Sequence, residues 1–498
     1  MDRIPNGRQN IPGNSVYISL LAAAALLAIG LHAGLLLQGY YSVSADESGH
    51  TLDAYHWVSS KSFGPGVWLP LYNIIVGEAL QWFPDLFVTP RVISFLFGLL
   101  SLGLLVLLSH ELFHDRRVDA AAAFLGAVFP PRVILAVVPL TEIMFIAVIT
   151  AAMVAVARWL ASPRPLPLLA TSLLLAIASA IRYEGWIFAA CFVVLVAAMQ
   201  YRPRRTSRFP AMACLILAAF PLCWVCMHAF GGAGALAFIR VPAADFVRVR
   251  GASDLAAIQD SPAVQFLLQN AVTGNLLGGF LLIEAAAAEP RLRRWLVVPA
   301  AALLVLSAGS ILFRALPNHS FWRVPAVWSI LLIPFTARWV VRQAEPDPGT
   351  PGLRSGLRKA APWFILIVLV VQCLIQLGTM SAHPNFDRDD LALGQFLSTR
   401  LDGDHRAVIE TWDWKYLHIL VASRHPDAFI PNSGADPLNP DRGMITRTSM
   451  DGVPRFRSLR VKFFLFRDPV VKKILDNVHE LKRLGDFGDW SVYEMRDS

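Results

Sequence analysis

The chain has 498 residues, of which 55% are hydrophobic and only 16% are charged, whereas soluble domains carry about 25% charged residues. The mean hydropathy is +0.51, which excludes an ordinary soluble enzyme. The net charge is +8. In so apolar a chain, this excess indicates membrane topology and no nucleic-acid partner, because basic residues accumulate in cytoplasmic loops.

About eleven apolar runs are long enough to cross a bilayer, which requires about 20 residues in a helix. The first run is longer than the apolar core of a signal peptide, about 7–15 residues, so we expect a retained anchor. The predicted spans are 16–38, 89–109, 119–138, 142–160, 165–182, 186–201, 210–230, 264–287, 295–314, 322–342 and 361–380.

Basic residues occur in alternate loops between these runs, as the positive-inside rule requires. With an odd number of spans, this pattern predicts a cytoplasmic N-terminus and an extracytoplasmic C-terminus. The residues that mark the cytoplasmic side are Arg3, Arg8, Arg116, Arg117, Arg158, Arg164, Arg202, Arg204, Arg205, Arg208, Arg291, Arg293, Arg294, Arg338, Arg342, Arg354, Arg358 and Lys359.

Two domains follow from the change in composition near residue 380. Residues 1–380 form a predicted transmembrane module with long external loops at 41–86 and 231–264. Residues 381–498 have the composition of a small soluble α/β domain, which we expect on the extracytoplasmic side. Apolar spacing predicts helices at 385–401 and 470–484, and strands at 406–412, 461–467 and 490–495. The fold class is thus a polytopic α-helical membrane protein with a C-terminal extracytoplasmic α/β domain.

Acidic residues stand at the start of the first external loop. Asp46 and Glu47 directly follow the first span, and a partly desolvated carboxylate at a membrane exit can serve as a general base. Alternatively, both acids favour the N-terminus of a surface helix. His50 and His56, with Asp46 and Asp53 at helical spacing, could together bind a metal ion, although an exposed polar helix would have the same sequence.

Further ionisable residues lie at the predicted outer ends of the spans. These are Glu142, which follows Thr141, and Arg182 and Glu184 near Trp186. A charged group at that depth is costly unless it is paired or reaches water, so it indicates a polar cavity. The alternative is that Arg182 and Glu184 extend to the interface beside Trp186.

Several arginines on the predicted external side oppose the positive-inside trend. A guanidinium group binds phosphate oxygens in bidentate fashion, so these residues are candidates for binding the phosphate of a lipid carrier. Contact with ordinary lipid head groups is the alternative. The residues are Arg240, Arg248, Arg250, Arg314 and Arg323, with His319 preceding the last of them.

These motifs occur in an order that resembles the GT-C superfamily of membrane glycosyltransferases. The similarity is to bacterial relatives of the protein O-mannosyltransferases and the lipid A aminoarabinose transferases, and in layout it covers essentially the whole chain. The motifs are Asp46-Glu47, Pro139-Leu-Thr-Glu142, Arg182-Tyr-Glu-Gly-Trp186 and His319-x-x-x-Arg323. Two departures are Tyr183, where relatives often have proline, and Val324, where tyrosine is common.

The resemblance implies inverting transfer of a sugar from a polyprenyl-phosphate donor on the outer face of a membrane, which we expect to be a bacterial inner or plasma membrane. It implies that Asp46 is the general base and that Glu47 is its partner in a two-acid motif. No cofactor is expected to be essential, although a divalent metal replaces an arginine in some relatives. The acceptor class stays open among lipid, glycan and protein, and membrane lipids are expected partners. The residues implied to bind substrate are His50, Glu142, Arg182, Glu184 and Arg323.

Other functions fit the same sequence. An oligosaccharide ligase or polymerase would use a pyrophosphate-linked donor. A transporter would place charges near the middle of the bilayer and would have repeated halves. A scaffold would bind a lipid-linked sugar without releasing polyprenyl phosphate.

Overall fold

The computed structural model gives the chain as two compact units. The helical unit comprises Met1–Gln38, Ser62–Tyr72 and Ile93–His383, and the sheet unit comprises Gly39–Lys61, Asn73–Val92 and Pro384–Ser498. The described residues are 14–61, 68–200, 208–231, 234–236, 239–241, 243–244, 247, 253–314, 321–343, 354–381, 388–401, 404–411, 414–432, 445 and 453–496.

Helices make up nearly all of the described chain up to residue 381. A short 3₁₀-helix, Phe321–Arg323, precedes α15. The helices are α1 (Asn14–Leu37), α2 (Asp46–Ser60), α3 (Pro70–Trp82), α4 (Val88–Phe113), α5 (Arg116–Val128), α6 (Pro130–Val137), α7 (Thr141–Ala161), α8 (Pro165–Ser179), α9 (Glu184–Gln200), α10 (Arg208–Phe230), α11 (Asp254–Gln259), α12 (Pro262–Val272), α13 (Leu277–Ala288), α14 (Pro290–Phe313), α15 (Ala326–Arg342) and α16 (Arg354–Ser381).

Within the described residues, six helices are long and apolar enough to cross a membrane: α1, α4, α7, α10, α14 and α16. The number rises to eight if two bent pairs, α5 with α6 and α12 with α13, each count as one span. Helices α8 and α9 are apolar but shorter. The chain is therefore a polytopic α-helical membrane protein, and the count of eleven spans stays a prediction.

Helix α7 is the most buried of the six long apolar helices, because 72% of its 18-residue apolar segment is buried. It packs against α8, α14 and α15. By contrast, only 17% of the corresponding segment is buried in α1 and in α10. Most of their apolar surface therefore faces outward, as expected of a helix in contact with lipid.

The predicted span 119–138 is broken into α5 and α6, which meet at 56°. Pro130 and Pro131 have no backbone N–H, so the carbonyls of Gly126 and Ala127 lose their usual helical donors. The buried Arg132 replaces them, since Nε donates to Gly126 at 2.5 Å and Nη2 donates to Ala127 at 3.0 Å. A further bond of 2.9 Å from Nη1 to the Gly98 carbonyl attaches the break to α4.

The predicted external loop 41–86 contains two helices, α2 and α3. Of the predicted loop 231–264, the structure describes α11 and the start of α12 along with a few positions before them. Helix α2 and α3 from Asn73 onward belong to the sheet unit, although the sequence assigned residues 1–380 to the transmembrane module. Gly77 of α3 has no room for a side chain, because a Cβ atom there would lie 2.8 Å from the Ala54 carbonyl oxygen of α2.

The C-terminal part of the sheet unit is α/β. Its elements are α17 (Arg388–Ser398), β1 (Arg406–Glu410), α18 (Tyr416–Ser423), β2 (Phe429–Asn432), α19 (Val453–Ser458), β3 (Val461–Phe466), α20 (Pro469–Asp476), β4 (Leu481–Phe487) and β5 (Trp490–Met495). The strand order is β2-β1-β3-β5-β4. Strands β2, β1 and β3 are parallel, while β5 runs antiparallel to both β3 and β4.

Both faces of this sheet are covered, because alternate side chains of a strand point to opposite faces. Ile409, Phe463 and Val492 pack on one side, with Leu393 and Leu397 of α17. The other side is packed by Val408, Phe464 and Tyr493, with Phe456 of α19 and Val471 of α20. The apolar run Phe463–Phe466 in β3 is typical of a strand buried on both faces.

The predicted helix 470–484 is wrong beyond residue 476. Asp468 caps the start of α20 through the backbone N–H groups of Val470 and Val471. The helix then ends at Asp476, and the segment from Leu481 pairs with β5. Pairing with a distant strand outweighs the local helical spacing there.

We expect Arg132→Met to destabilise the helical unit. The substitution leaves the carbonyls of Gly126 and Ala127 without their donors, at about 1–3 kcal/mol for each buried unsatisfied group. Thermal unfolding of the detergent-solubilised protein measures this loss. Arg158→Met is the control, because it removes an exposed pair with Glu111, for which about 0–1 kcal/mol is usual. Equal melting temperatures for the two variants would contradict the capping role of Arg132.

Candidate functional site

A cluster of charged side chains lies where several helix ends of the helical unit meet. Glu142 is the second residue of α7, and Glu184 is the first residue of α9. Arg182 lies in the connection between α8 and α9, and Arg323 ends the 3₁₀-helix before α15. The structure therefore brings together four residues that the sequence marked as substrate-binding.

Arg182 holds the two carboxylates of this cluster. Its Nη1 lies 2.8 Å from Oε1 of Glu142, and its Nη2 lies 2.7 Å from Oε1 of Glu184. The same Nη1 donates to the Thr141 hydroxyl at 2.9 Å. Arg323 approaches the shared Glu142 oxygen less closely, with Nε at 3.4 Å.

The cluster is electrically balanced and mostly excluded from water. Two arginines face two glutamates, and the side chains of Glu142 and Arg323 are only 4% and 5% exposed. Burying a charge is expensive unless it is paired, so each member depends on the others. The arrangement is a preorganised set of two guanidinium groups, which bind carboxylate and phosphate oxygens in the same bidentate way.

The sequence of the α8–α9 connection explains how Arg182 and Glu184 reach the cluster. At Gly185 a Cβ atom would lie 2.6 Å from the backbone of Ala178, so only glycine allows this close approach. Trp186 donates its indole N–H to the Ser179 carbonyl at 2.8 Å. The motif Arg-Tyr-Glu-Gly-Trp thus closes the turn, and Arg182 and Glu184 pair with each other.

In the sheet unit, Asp46 and Glu47 begin α2. Asp46 is partly exposed, whereas Glu47 is buried. The Glu47 carboxylate accepts the backbone N–H of Val43 at 2.6 Å and of Ser44 at 3.1 Å, and also the Ser44 hydroxyl at 2.9 Å. Glu47 therefore fixes the chain that leads into α2, and the partly exposed Asp46 is the better placed of the two acids for contact with a substrate.

The two histidines of α2 differ in environment. His50 is buried, whereas His56 is exposed and lies 3.9 Å from Asp427. The structure, as far as it is described, groups no three His, Cys, Asp or Glu side chains in a way that could hold a metal ion.

Helix α2 is held against α18 and against the turn that follows it, a contact that the sequence did not predict. Ser48 and the buried His418 share a hydrogen bond of 2.8 Å, and Tyr55 donates to Asp427 at 2.7 Å. Burial lowers the pKa of His418 to about 3, assisted by the positive charges of Arg91 and Lys415. The partners lie 370 and 372 residues apart, so no local pattern marks them.

Some residues proposed from the sequence cannot be placed in these sites. Arg248, Arg250 and His319 lie outside the described residues. Arg240 is exposed, and Arg314 pairs with Asp254 at 2.5 Å. Among the described arginines of this set, which are Arg240, Arg314 and Arg323, Arg323 is the one that lies near Glu142.

Solved structures similar to this chain share one fold. ArnT from Cupriavidus metallidurans in the apo state has a TM-score of 0.64 at 12% identity, covering 96% of this chain and 98% of that one. The same protein bound to undecaprenyl phosphate gives 0.62 at 12% identity, with 97% and 98% covered. The oligosaccharyltransferase of Archaeoglobus fulgidus gives 0.56 at 14% identity, with 91% and 70% covered.

No family model and no curated protein sequence matches the chain. The similarity is therefore one of structure, and it extends over nearly the whole chain. Both neighbours have the GT-C fold. This chain is thus a polytopic membrane protein with a GT-C fold, as its motifs predicted.

We expect the folded sheet unit to lose stability at low pH because of His418. The unfolded chain binds a proton near pH 6.5, whereas the folded chain resists protonation of His418 until about pH 3. Between these values the unfolded state binds more protons, so stability falls as the pH is lowered. We expect His418→Asn, which keeps a hydrogen-bonding group near Ser48 but does not titrate, to flatten the dependence of Tm on pH between 7 and 4.

The matched control is His56→Asn, which changes an exposed histidine of the same unit. It should leave the slope of Tm against pH as in the wild type. An unchanged slope in His418→Asn would show that His418 does not couple folding to pH.

Proposed function

We propose that the chain is an inverting glycosyltransferase that moves a sugar from a polyprenyl-phosphate donor to an acceptor. The observation that carries the proposal is the buried cluster of Arg182, Arg323, Glu142 and Glu184 within a GT-C fold. A structural neighbour, ArnT, is known bound to undecaprenyl phosphate, which supports a polyprenyl phosphate as the anionic partner of these arginines.

The proposed reaction requires a base and a cation. Asp46 takes the proton from the acceptor hydroxyl or amine as that atom forms a bond to the anomeric carbon of the sugar. The bond from this carbon to the phosphate oxygen breaks, and its electron pair leaves with the polyprenyl phosphate. Because attack and departure occur on opposite faces of the sugar, the configuration at the anomeric carbon is inverted.

Within the cluster, Arg323 is the better candidate for the phosphate. Arg182 is engaged by Glu142, Glu184 and Thr141 at 2.7–2.9 Å, the normal length of charge-assisted hydrogen bonds. Arg323 lies 3.4 Å from Glu142, a longer contact than those of Arg182, and we propose that the phosphate binds there. Arg182 then keeps Glu142 and Glu184 in place as the phosphate binds.

We infer that the cluster lies at the extracytoplasmic side and that the N-terminus is cytoplasmic. Arginines that the sequence assigned to the cytoplasm gather near the start of α14 and the end of α7, since Arg291 donates to the carbonyls of Glu111 and Ala157 and Arg158 pairs with Glu111. The cluster lies at the opposite end of α7. The positive-inside rule then favours an external position for the cluster. We further propose an extracytoplasmic C-terminal domain and, from the resemblance to GT-C glycosyltransferases, a bacterial inner or plasma membrane.

We propose that transfer does not require a divalent metal, because three of the acids near the two motifs already have partners. Glu47 is bonded to backbone N–H groups, and Glu142 and Glu184 are paired with arginine. The Archaeoglobus fulgidus oligosaccharyltransferase is known in complex with Zn and sulfate. Addition of EDTA tests the proposal, since transfer by this chain should be unaffected.

A second candidate follows from the same archaeal neighbour. An oligosaccharyltransferase has the same fold over 91% of this chain, so transfer of a preassembled glycan from a pyrophosphate-linked donor is an alternative. A transporter is less consistent with the cluster, because Glu142 and Glu184 begin helices and do not lie at mid-span. Donors with one phosphate and with two phosphates, assayed in parallel, separate the two kinds of transferase. The acceptor among lipid, glycan and protein follows from which of them gains the sugar.

We expect Asp46→Asn to lower release of undecaprenyl phosphate from its sugar conjugates by about 10²–10⁴-fold, because the amide cannot accept the acceptor's proton. The assay uses a panel of undecaprenyl-phosphate sugars with a membrane extract as the source of acceptors. Asp404→Asn, an exposed residue paired with Arg460, is the control and should retain activity. A fully active Asp46→Asn protein would remove Asp46 as the base.

Arg323→Gln should weaken binding of undecaprenyl phosphate and slow its release by about 10²-fold, as when one transition-state donor is lost. Arg323→Lys should be intermediate, because an ammonium group cannot form the bidentate contact. Arg342→Gln at the end of α15, where Arg342 pairs with the exposed Glu284, provides the control. Wild-type binding by a folded Arg323→Gln protein would contradict the phosphate-binding role of Arg323.

A further inference from the structure

A chain of hydrogen bonds between buried polar side chains runs through the helical unit and ends beside Arg323. Thr336 donates to Oδ1 of Asn275 at 2.5 Å, and Asn275 donates to Oδ1 of Asn270 at 2.7 Å. Asn270 then donates to the Ser329 hydroxyl at 2.8 Å. Ser329 donates to Oε1 of Gln269 at 2.6 Å. The last bond, of 3.2 Å, runs from Nε2 of Gln269 to the carbonyl of Trp322.

Backbone carbonyls fix the direction of this chain. A carbonyl oxygen only accepts hydrogen bonds, so the amide group that faces it must present its nitrogen. Asn270 faces the Phe266 carbonyl at 2.6 Å, and Asn275 faces the Ser329 carbonyl at 2.8 Å. Gln269 faces the Trp322 carbonyl in the same way. Every donor therefore points toward Trp322, and hydrogen bonds aligned in one direction polarise one another.

The chain bridges α15 and the break between α12 and α13, which are bent by 114°. Gly274, at φ +71°, adopts the left-handed conformation that allows the break. Gly278 permits close packing, since a Cβ atom there would lie 2.7 Å from the backbone nitrogen of Thr336. The same polar side chains thus bond to a sharply bent backbone and to the neighbouring helix, which leaves Gln269 little freedom to move.

We propose that Gln269 is a positioning residue that sets the place of Arg323 by holding the carbonyl of the preceding Trp322. The inference rests on the proposed role of Arg323 in binding phosphate. Arg323 belongs to a 3₁₀-helix of only three residues, so that short element depends on contacts from neighbouring helices for its orientation. Gln269 supplies such a contact without adding charge to the balanced cluster.

The test compares variants that remove different links. Gln269→Met keeps the size of the side chain but removes the N–H donor, and it should weaken binding of undecaprenyl phosphate by the detergent-solubilised full chain about tenfold. Ser329→Ala leaves the Gln269–Trp322 bond in place, so it should weaken binding only about threefold. Gln265→Met, one turn earlier on α12, where Gln265 bonds to the Gln259 carbonyl, should bind as the wild type does.

A double variant distinguishes positioning from a general loss of packing. If Gln269 acts through Arg323, Gln269→Met should cost little further affinity in an Arg323→Lys background, because coupled residues are not additive. Thermal unfolding is recorded for every variant. Additive effects, or wild-type binding by a folded Gln269→Met protein, would overturn the inference.

If Gln269→Met does not fold, Ser329→Ala carries the test. Weaker binding by folded Ser329→Ala protein supports positioning, and unchanged binding overturns it. Arg323→Gln keeps the two proposals distinct. Wild-type binding by that variant rejects the phosphate role of Arg323 and this inference with it. If Arg323→Gln binds more weakly but Gln269→Met binds as the wild type does, only the inference is rejected.

Discussion

The helical unit is shaped by one constraint, which is that a polar backbone group in hydrocarbon must find a partner inside the protein. Two of the predicted spans are broken, and each break has a different source of partners. At Pro130 the missing donors are replaced by the guanidinium of Arg132. At the bend near Gly274, side chains such as Thr336 and Asn275 bond to the backbone of the break and of α15.

The same constraint governs the charged cluster. Charges taken out of water are stable only in balanced, close groups, and Arg182 satisfies this by binding Glu142 and Glu184 together. In the proposed function a phosphate binds at Arg323 while Arg182 keeps both glutamates paired, so no buried carboxylate loses its partner. A stable resting state and a cationic binding site are therefore compatible in one cluster.

Some of this could be predicted from the sequence and some could not. Apolar run length located the helices, and Glu142, Arg182 and Glu184 stood out because charges are rare at span ends. The broken spans were missed because run length does not register a missing donor or a left-handed glycine. Glu47 illustrates a second limit. Its neighbour Asp46 has the same charge, and only the bonds from Val43 and Ser44 reveal that Glu47 organises the backbone.

Two elements that carry proposed site residues are held in part by neutral side chains, while the proposed chemistry relies on charges. An amide such as Gln269 can fix a turn through a single carbonyl, whereas a lysine or glutamate there would alter the charge balance that Arg323 and Glu142 maintain. In the sheet unit, His418 is kept neutral by burial and by neighbouring cations, and it meets Ser48 on the helix that begins with Asp46. Because these contacts are neutral, they help to hold α2 and the 3₁₀-helix without forming ion pairs with Asp46 or Arg323.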